Sequence, residues 1–260
     1  MPVDDHSSVR SLLDPSALQD AAGPRWDVTL LPTAGSTNEI AAAGPRPGRV
    51  VVADHQLSGR GRLDRSWTTP PGTALTFSAV VEPQLEMRRW PLLPLASGLA
   101  VADALRAVGA RPMLKWPNDV LLQSGKVAGI LVERIGEPGR AIIGIGINVD
   151  LAPSELPVPT ATALSLEGIH VSRTDLLGGV LSALAARLDE LETDPGAFVA
   201  TYRDACDTVG REVEAHLPGG IRERGKAIGV DDSGRLQIQI GDRVVPMAAG
   251  DVVHLRPLGG

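Results

Sequence analysis

The chain has 260 residues, 43% of them hydrophobic, which suits one large domain with a substantial core and a second, small one. A formal net charge of −6 argues against a general nucleic-acid binder, because counterion release needs a basic face. The lone Cys206 excludes an internal disulfide and a multi-cysteine zinc site, and fits a reducing compartment.

Residues 1-26 read as an N-terminal extension, polar and mixed in charge, with room for one short helix at 15–22. A helix-turn-helix domain of the usual kind does not fit there. The basic start and apolar run of a signal peptide are missing, and no window approaches the ~18 apolar residues of a membrane span. The expectation is a soluble, cytoplasmic protein with neither DNA nor membrane as partner. A strand follows at 28–31. Gly35-Ser36-Thr37-Asn38-Glu39 then predicts a helix start, with Ser36 and Glu39 spaced for a capping box. Free N–H groups and small hydroxyls at such a start also favour a polar ligand group.

The β-branched run at 49–54 predicts a strand, from which His55-Gln56-Leu57 leads into Ser58-Gly59-Arg60-Gly61-Arg62-Leu63-Asp64-Arg65-Ser66-Trp67. Glycine lets a backbone approach a ligand closely, and arginine offers a planar fork of donors suited to carboxylate and phosphate. The stretch predicts a mobile loop that closes on a small anion.

A buried strand at 73–81 and a helix at 92–108 come next, the helix with Leu95, Leu99, Ala102 and Leu105 on its inner face. Lys115-Trp116-Pro117-Asn118-Asp119-Val120 places a bend between strands at 113–116 and 120–123. After a turn at Ser124-Gly125, Lys126-Val127-Ala128-Gly129-Ile130-Leu131 opens a return strand to 134. A strand at 141–149 is interrupted by Gly144 and Gly146, and glycine inside a strand often marks close approach by a ligand or another backbone. A proline-rich loop at 153–159 precedes helices at 175–191 and 195–207. Leu177, Leu181, Leu184, Leu188 and Leu191 give the first of these its buried stripe. Past Gly210 only short strands and turns remain: 212–216, 227–230, 236–240, 244–247 and 252–255. Their even spacing predicts a small β-barrel module.

In sequence order, Ser36-Thr37-Asn38, Gln56, the Gly59-to-Trp67 loop, Lys115-to-Val120, Lys126-to-Leu131 and Gly144-to-Asn148 resemble the biotin protein ligases. Each element alone is weak; the ordered set is specific and spans most of the first ~210 residues. The resemblance implies an α/β (α+β) fold, with a catalytic domain at 27-210 built on a mixed, mostly antiparallel sheet and a β-barrel domain at 211-260. It implies activation of biotin by Mg·ATP to biotinyl-5′-adenylate. Transfer to a lysine of a biotin carboxyl-carrier domain would follow, the carrier belonging to an acetyl-CoA, acyl-CoA or pyruvate carboxylase. Members with an N-terminal winged helix-turn-helix repress transcription, whereas this chain resembles the monofunctional type, a monomer or weak homodimer.

Matched residue by residue, the resemblance implies that Ser36, Thr37, Asn38, Gln56, Gly59 and Gly129 contact biotin. Arg60, Gly61 and Arg62 would wrap carboxylate and phosphate, and Lys126 would contact one or the other. Arg65, Trp67, Lys115, Asn118 and Asn148 would hold the nucleotide, and Asp119 would bind Mg2+ or act as a base. Leu63 and Asp64 depart from the family's usual loop, which places a Gly where Asp64 stands. Carboxyl activation by ATP needs no protein nucleophile; it needs positioning and positive charge where two anions meet, which Arg60, Arg62 and Lys126 supply. A lipoate-type ligase and a non-enzymatic biotin or adenylate sensor are the rival readings.

Overall fold

The computed structural model describes residues 10–62, 65–123, 125–136, 139–216, 220–249 and the backbone of 254–257. Its centre is β5 (Ala74–Val81), buried along its whole length, because the sheet carries helices on both faces at this point. Around it run β1 (Asp27–Ala34), β2 (Arg49–Gln56), β6 (Pro112–Lys115), β7 (Asp119–Leu122), β8 (Gly125–Ile135) and β9 (Arg140–Asn148). The seven strands lie in the order β1-β2-β5-β9-β8-β7-β6, with β1 and β2 parallel and every other pair antiparallel. This is the mixed, mostly antiparallel sheet expected.

Alternation along each strand separates two chemistries. On one face, Leu75, Phe77, Ala79, Ile143, Ile145, Ile147, Ala128 and Ile130 join the main core beneath α1 (Pro15–Ala22), α3 (Leu93–Ala107) and α4 (Arg173–Thr193). The periodicity of α4 holds: Leu177, Leu181, Leu184, Leu188 and Leu191 are all buried. On the other face, the short α2 (Thr37–Ala42) covers only a small cluster of Ala41, Val51, Val80 and Ile142. Apart from the half-buried Leu131, the rest of that face carries Ser78, Gly144, Gly146, Asn148, Gly129 and Glu133 and is polar or bare. The site is built there.

Several edges differ from expectation. The strand predicted at 49–54 continues to Gln56, because the ladder to β1 extends to Ala34↔Gln56. The Gly/Arg stretch is zipped at its base as β3 (Gly59–Arg60) and β4 (Ser66–Trp67), paired Gly59↔Trp67 and Arg60↔Ser66. Its unusual residues Leu63 and Asp64, and Ser124 of the predicted turn, lie outside the described residues. Ser36 does stand at the N-cap of α2, but its side chain makes no capping hydrogen bond, and Glu39 faces Arg60 at 3.4 Å. The expected capping box is therefore absent.

After α5 (Pro195–Ala205), β10 (Glu212–His216), β11 (Arg222–Val230), β12 (Leu236–Ile240), β13 (Arg243–Met247) and β14 (His254–Pro257) form a five-stranded antiparallel sheet ordered β13-β12-β11-β10-β14. Strand β11 starts five residues before the predicted 227, since polar Arg222 to Lys226 pair with β10. Trp116 ties the two sheets together. It is 1% exposed, its indole N–H donates to Gly234 O of the β11–β12 turn at 3.0 Å, and its backbone N–H donates to Thr208 Oγ1 at 3.0 Å. The bond between Trp116 and Pro117 is cis. Arg173 likewise gathers distant segments, donating to Ser11 O, Asp54 Oδ1 and Ala74 O while 6% exposed.

Candidate functional site

At one end of the bare face, the start of α2 meets the end of β2. Gln56 Oε1 accepts from Thr37 N at 2.9 Å and from Thr37 Oγ1 at 3.1 Å. Ser78 Oγ lies 2.7 Å from Thr37 Oγ1 and 2.5 Å from Asn38 Oδ1, and Asn38 Nδ2 donates to Glu133 Oε2 at 2.6 Å. Ser36, Thr37, Asn38 and Gln56 are all buried. A buried polar cluster is stable only when its members find partners, so the bonds among them hold Thr37, Asn38, Gln56 and Ser78 in place. Gly144 makes room for it: a Cβ there would overlap Asn38 Oδ1. Gly59 is equally constrained, with Gln56 Nε2 and Trp67 O where its Cβ would stand.

Glycine and an indole shape the middle. Gly129 and Gly146 face each other across the β8–β9 ladder, and Trp67 from β4 lies over both. A Cβ on Gly146 would come within 2.5 Å of Trp67 Cε2, and one on Gly129 within 3.2 Å of Trp67 Cζ3. Trp67 Nε1 is buried and has no hydrogen-bond partner among the described residues; the same holds for Asn148 Oδ1. The Asn148 amide is held from its other side, its Nδ2 donating to Thr162 O at 2.9 Å. A buried donor and a buried acceptor without partners are costly, at ~1–3 kcal/mol each, unless a ligand satisfies them.

The far end is cationic. Lys126 Nζ sits 2.6 Å from Asp119 Oδ1 and 5.7 Å from the Trp67 ring centroid. Lys126 is fixed in the chain by a bridge to Ala161, donating to Thr160 O and accepting from Thr162 N. Arg62 reaches Asn118 Oδ1 at 3.3 Å and also donates to Ala249 O of the C-terminal module. Burial lowers the Arg62 pKa, Asp119 opposes that shift and Arg65 adds to it; the guanidinium stays charged at any ordinary pH. Asn118 Nδ2 donates to Ile130 O at 3.0 Å, which locks the turn carrying it. Lys115 stands opposite Asp119 in the β6–β7 ladder, Gly61 N donates to Arg65 O at 2.6 Å, and Arg65 is exposed. Arg60 lies at the other mouth, 3.4 Å from Glu39 and 3.6 Å from Glu133.

Among the described residues no three His, Cys, Asp or Glu side chains gather as a metal site. Asp119 faces the Lys126 ammonium, and a single carboxylate of this kind would hold Mg2+ only together with the phosphates of a nucleotide.

The sequence reading missed Ser78, Glu133 and Thr162. Ser78 was hidden in an apolar run. Glu133 follows Gly129 and Leu131 at a spacing of two, and that alternation on β8 was the signal for its face.

Residues 29–150 match the Biotin/lipoate A/B protein ligase family and residues 208–255 the Biotin protein ligase C terminal domain. The chain belongs to the biotin protein ligase family. It is 36% identical over 266 residues to the biotin–acetyl-CoA-carboxylase ligase of Mycobacterium tuberculosis, spanning 97% of this chain and 99% of that protein. The ligase of the same name from Paracoccus denitrificans is 35% identical over 84% of this chain and 98% of its own length. Among solved structures, the Aquifex aeolicus biotin protein ligase in complex with biotin and ATP superposes with a TM-score of 0.78. It is 30% identical and covers 89% of this chain and 99% of that one.

Proposed function

We propose that residues 27-210 activate biotin with ATP and that residues 211-260 help to close the site, the acceptor being a lysine of a biotin carboxyl-carrier domain. One observation carries the reading. A trough floored by glycines 129, 144 and 146 joins a satisfied polar cluster at one end to paired cations at the other, with two buried groups left unpartnered between them.

In this proposal the Thr37, Asn38 and Gln56 cluster, with Ser36, receives the ureido ring, whose donors and acceptors need fixed partners. The tail runs past Gly129 and Gly146. A biotin carboxylate oxygen attacks the α-phosphorus of ATP, the bond from that phosphorus to the bridging oxygen breaks, and pyrophosphate leaves. Lys126 and Arg62 lower the cost of bringing two anions together, with Arg60 at the mouth. Asp119 orients Lys126, and Asn118 orients Arg62. Trp67 Nε1 and Asn148 Oδ1 complement the adenylate, with Arg65 and Lys115 at its periphery. Magnesium, which ATP carries on its phosphates, would arrive with the nucleotide and supply further positive charge there. The carrier lysine, having given one proton to solvent, then attacks the biotinyl carbonyl carbon; the bond to the phosphate oxygen breaks, AMP leaves, and the nitrogen gives its second proton to solvent to become the amide.

The test is biotin-dependent pyrophosphate release from ATP, followed by mass-spectrometric detection of biotin on a purified carrier domain. Lipoate in place of biotin should support neither. Equal activity with lipoate, or no pyrophosphate with biotin, would overturn the reading. No helix among the described residues is long and apolar enough to cross a membrane, which is consistent with a cytoplasmic site of action.

A further inference from the structure

We infer that Glu133 is a positioning residue for this site: one carboxylate both fixes the Asn38 amide and latches the Arg60 loop until a substrate anion displaces it. The inference rests on the proposed biotin site and adds a group that the site's motifs do not include.

The geometry is specific. Glu133 projects from β8 on the same face as Gly129 and Leu131, since Gly129↔Gly146, Leu131↔Gly144 and Glu133↔Ile142 pair in register with β9. Its Oε2 accepts from Asn38 Nδ2 at 2.6 Å, a short charge-assisted bond, while its Oε1 faces Arg60 Nη2 at 3.6 Å. Asn38 can be read in two amide orientations; only the one with Nδ2 toward Glu133 leaves Oδ1 to accept from Ser78 at 2.5 Å. An acceptor-only carboxylate thus dictates which edge of Asn38 meets a ligand. Removing it would free the amide to turn and blur the recognition of a ring that carries both N–H and C=O groups.

The second oxygen does different work. Arg60 lies between Glu133 at 3.6 Å and Glu39 at 3.4 Å, and all three side chains are a third to three-fifths exposed. Pairs at such exposure are weak. A weak pair is what a latch requires, because an arriving carboxylate or phosphate competes for the same guanidinium. The backbone of Arg60 pairs with Ser66 in the β3–β4 ladder, so its side chain is anchored in the stem of the loop.

The full chain with Glu133→Ala and Glu133→Gln separates the two roles. Glutamine keeps a carbonyl oxygen for Asn38 Nδ2 and loses the charge that holds Arg60. For Glu133→Ala, the KM for biotin should rise about tenfold, as loss of a hydrogen bond to a charged group predicts, with the KM for ATP within about twofold of the parent. Glu133→Gln should recover the KM for biotin to within about threefold. In the absence of ligand, however, it should be cut by trypsin in the loop several-fold faster. Calorimetric titration with biotin reads the affinity ratio without turnover. A parent that does not bind biotin brings down the site assignment. A parent that binds it no better than a folded Glu133→Ala brings down this inference alone. Loop cleavage of Glu133→Gln at the parental rate would remove the latch, and a Glu133→Gln affinity as poor as that of the alanine variant would remove the amide-orienting role.

Discussion

The seven-stranded sheet and the five-stranded module use charged residues in opposite ways. On the large sheet, Lys126, Arg62 and Arg60 converge on one bare face, where their partners Asp119, Asn118, Glu39 and Glu133 orient them toward shared space. In the module each described arginine is occupied close to home. Arg235 pairs with Asp231, Arg243 with Glu223, and Arg224 with the buried Glu214, whose carboxyl is held below its usual range by His216 first and then Arg224. The module instead reaches the site through one backbone carbonyl, Ala249 O toward Arg62, and is tied to the large sheet by another, Gly234 O toward Trp116. Charge density therefore says little about where chemistry happens; convergence on a bare surface says more.

The sharpest way to break this contrast is Lys126→Ala. Loss of one cation at a developing anion should lower the rate of adenylate formation ~10²–10³-fold in a protein that stays folded, read as biotin-dependent pyrophosphate release. Near-parental turnover would remove Lys126 from the chemistry. Next comes Gly146→Ala. Its methyl would overlap the Trp67 ring, so we expect a loss of ~1–3 kcal/mol from overpacking and, separately, at least a tenfold weaker grip on ATP, both measurable by thermal melts with and without nucleotide. A variant that melts earlier but binds ATP normally would mean that the trough is not the nucleotide site.

Arg62→Gly tests the seam between the two regions. Adenylate should escape several-fold faster, seen as labelling of bystander lysines, with biotin affinity changed less. Trp116→Phe keeps most of the packing but leaves Gly234 O without its donor, at a cost of ~1–3 kcal/mol. The melting midpoint should fall by a few degrees while pyrophosphate release per folded molecule holds. Smallest of all, Arg235→Glu and Arg243→Glu each break an exposed local pair worth little. We expect less than about a threefold rise in KM for the carrier domain, even at low salt. A tenfold rise that salt abolishes would instead mark the module as an acceptor-docking surface.

How much of this was legible beforehand depended on the distance over which each feature is encoded. Helix α4 and strand β12 follow from periodicity inside a single segment, and both were readable. The motif residues were readable as a set because their order carries information that no one spacing does. Partners were not. Asn38 and Glu133 are 95 positions apart and meet only once β8 and α2 share a face. Ser36 followed by Glu39 had every local mark of a capping box, yet Ser36 is buried without a capping bond and Glu39 turns to Arg60. Strand β11 was cut short for the same reason, since Arg222 to Lys226 look like a loop until β10 pairs with them.

Trp67 also has an optical consequence. The chain holds four tryptophans, and Trp26 and Trp116 are sealed in the interior at 4% and 1% exposure. Trp67 alone of the four rests on the glycine floor, its indole N–H without a partner among the described residues and an ammonium 5.7 Å from its ring centroid. A ligand that supplies an acceptor to that N–H and displaces water from the ring changes the emission of this one fluorophore. The protein thus carries its own dye in the proposed ligand trough, and stopped-flow fluorescence of the unlabelled chain should follow its filling and emptying in real time.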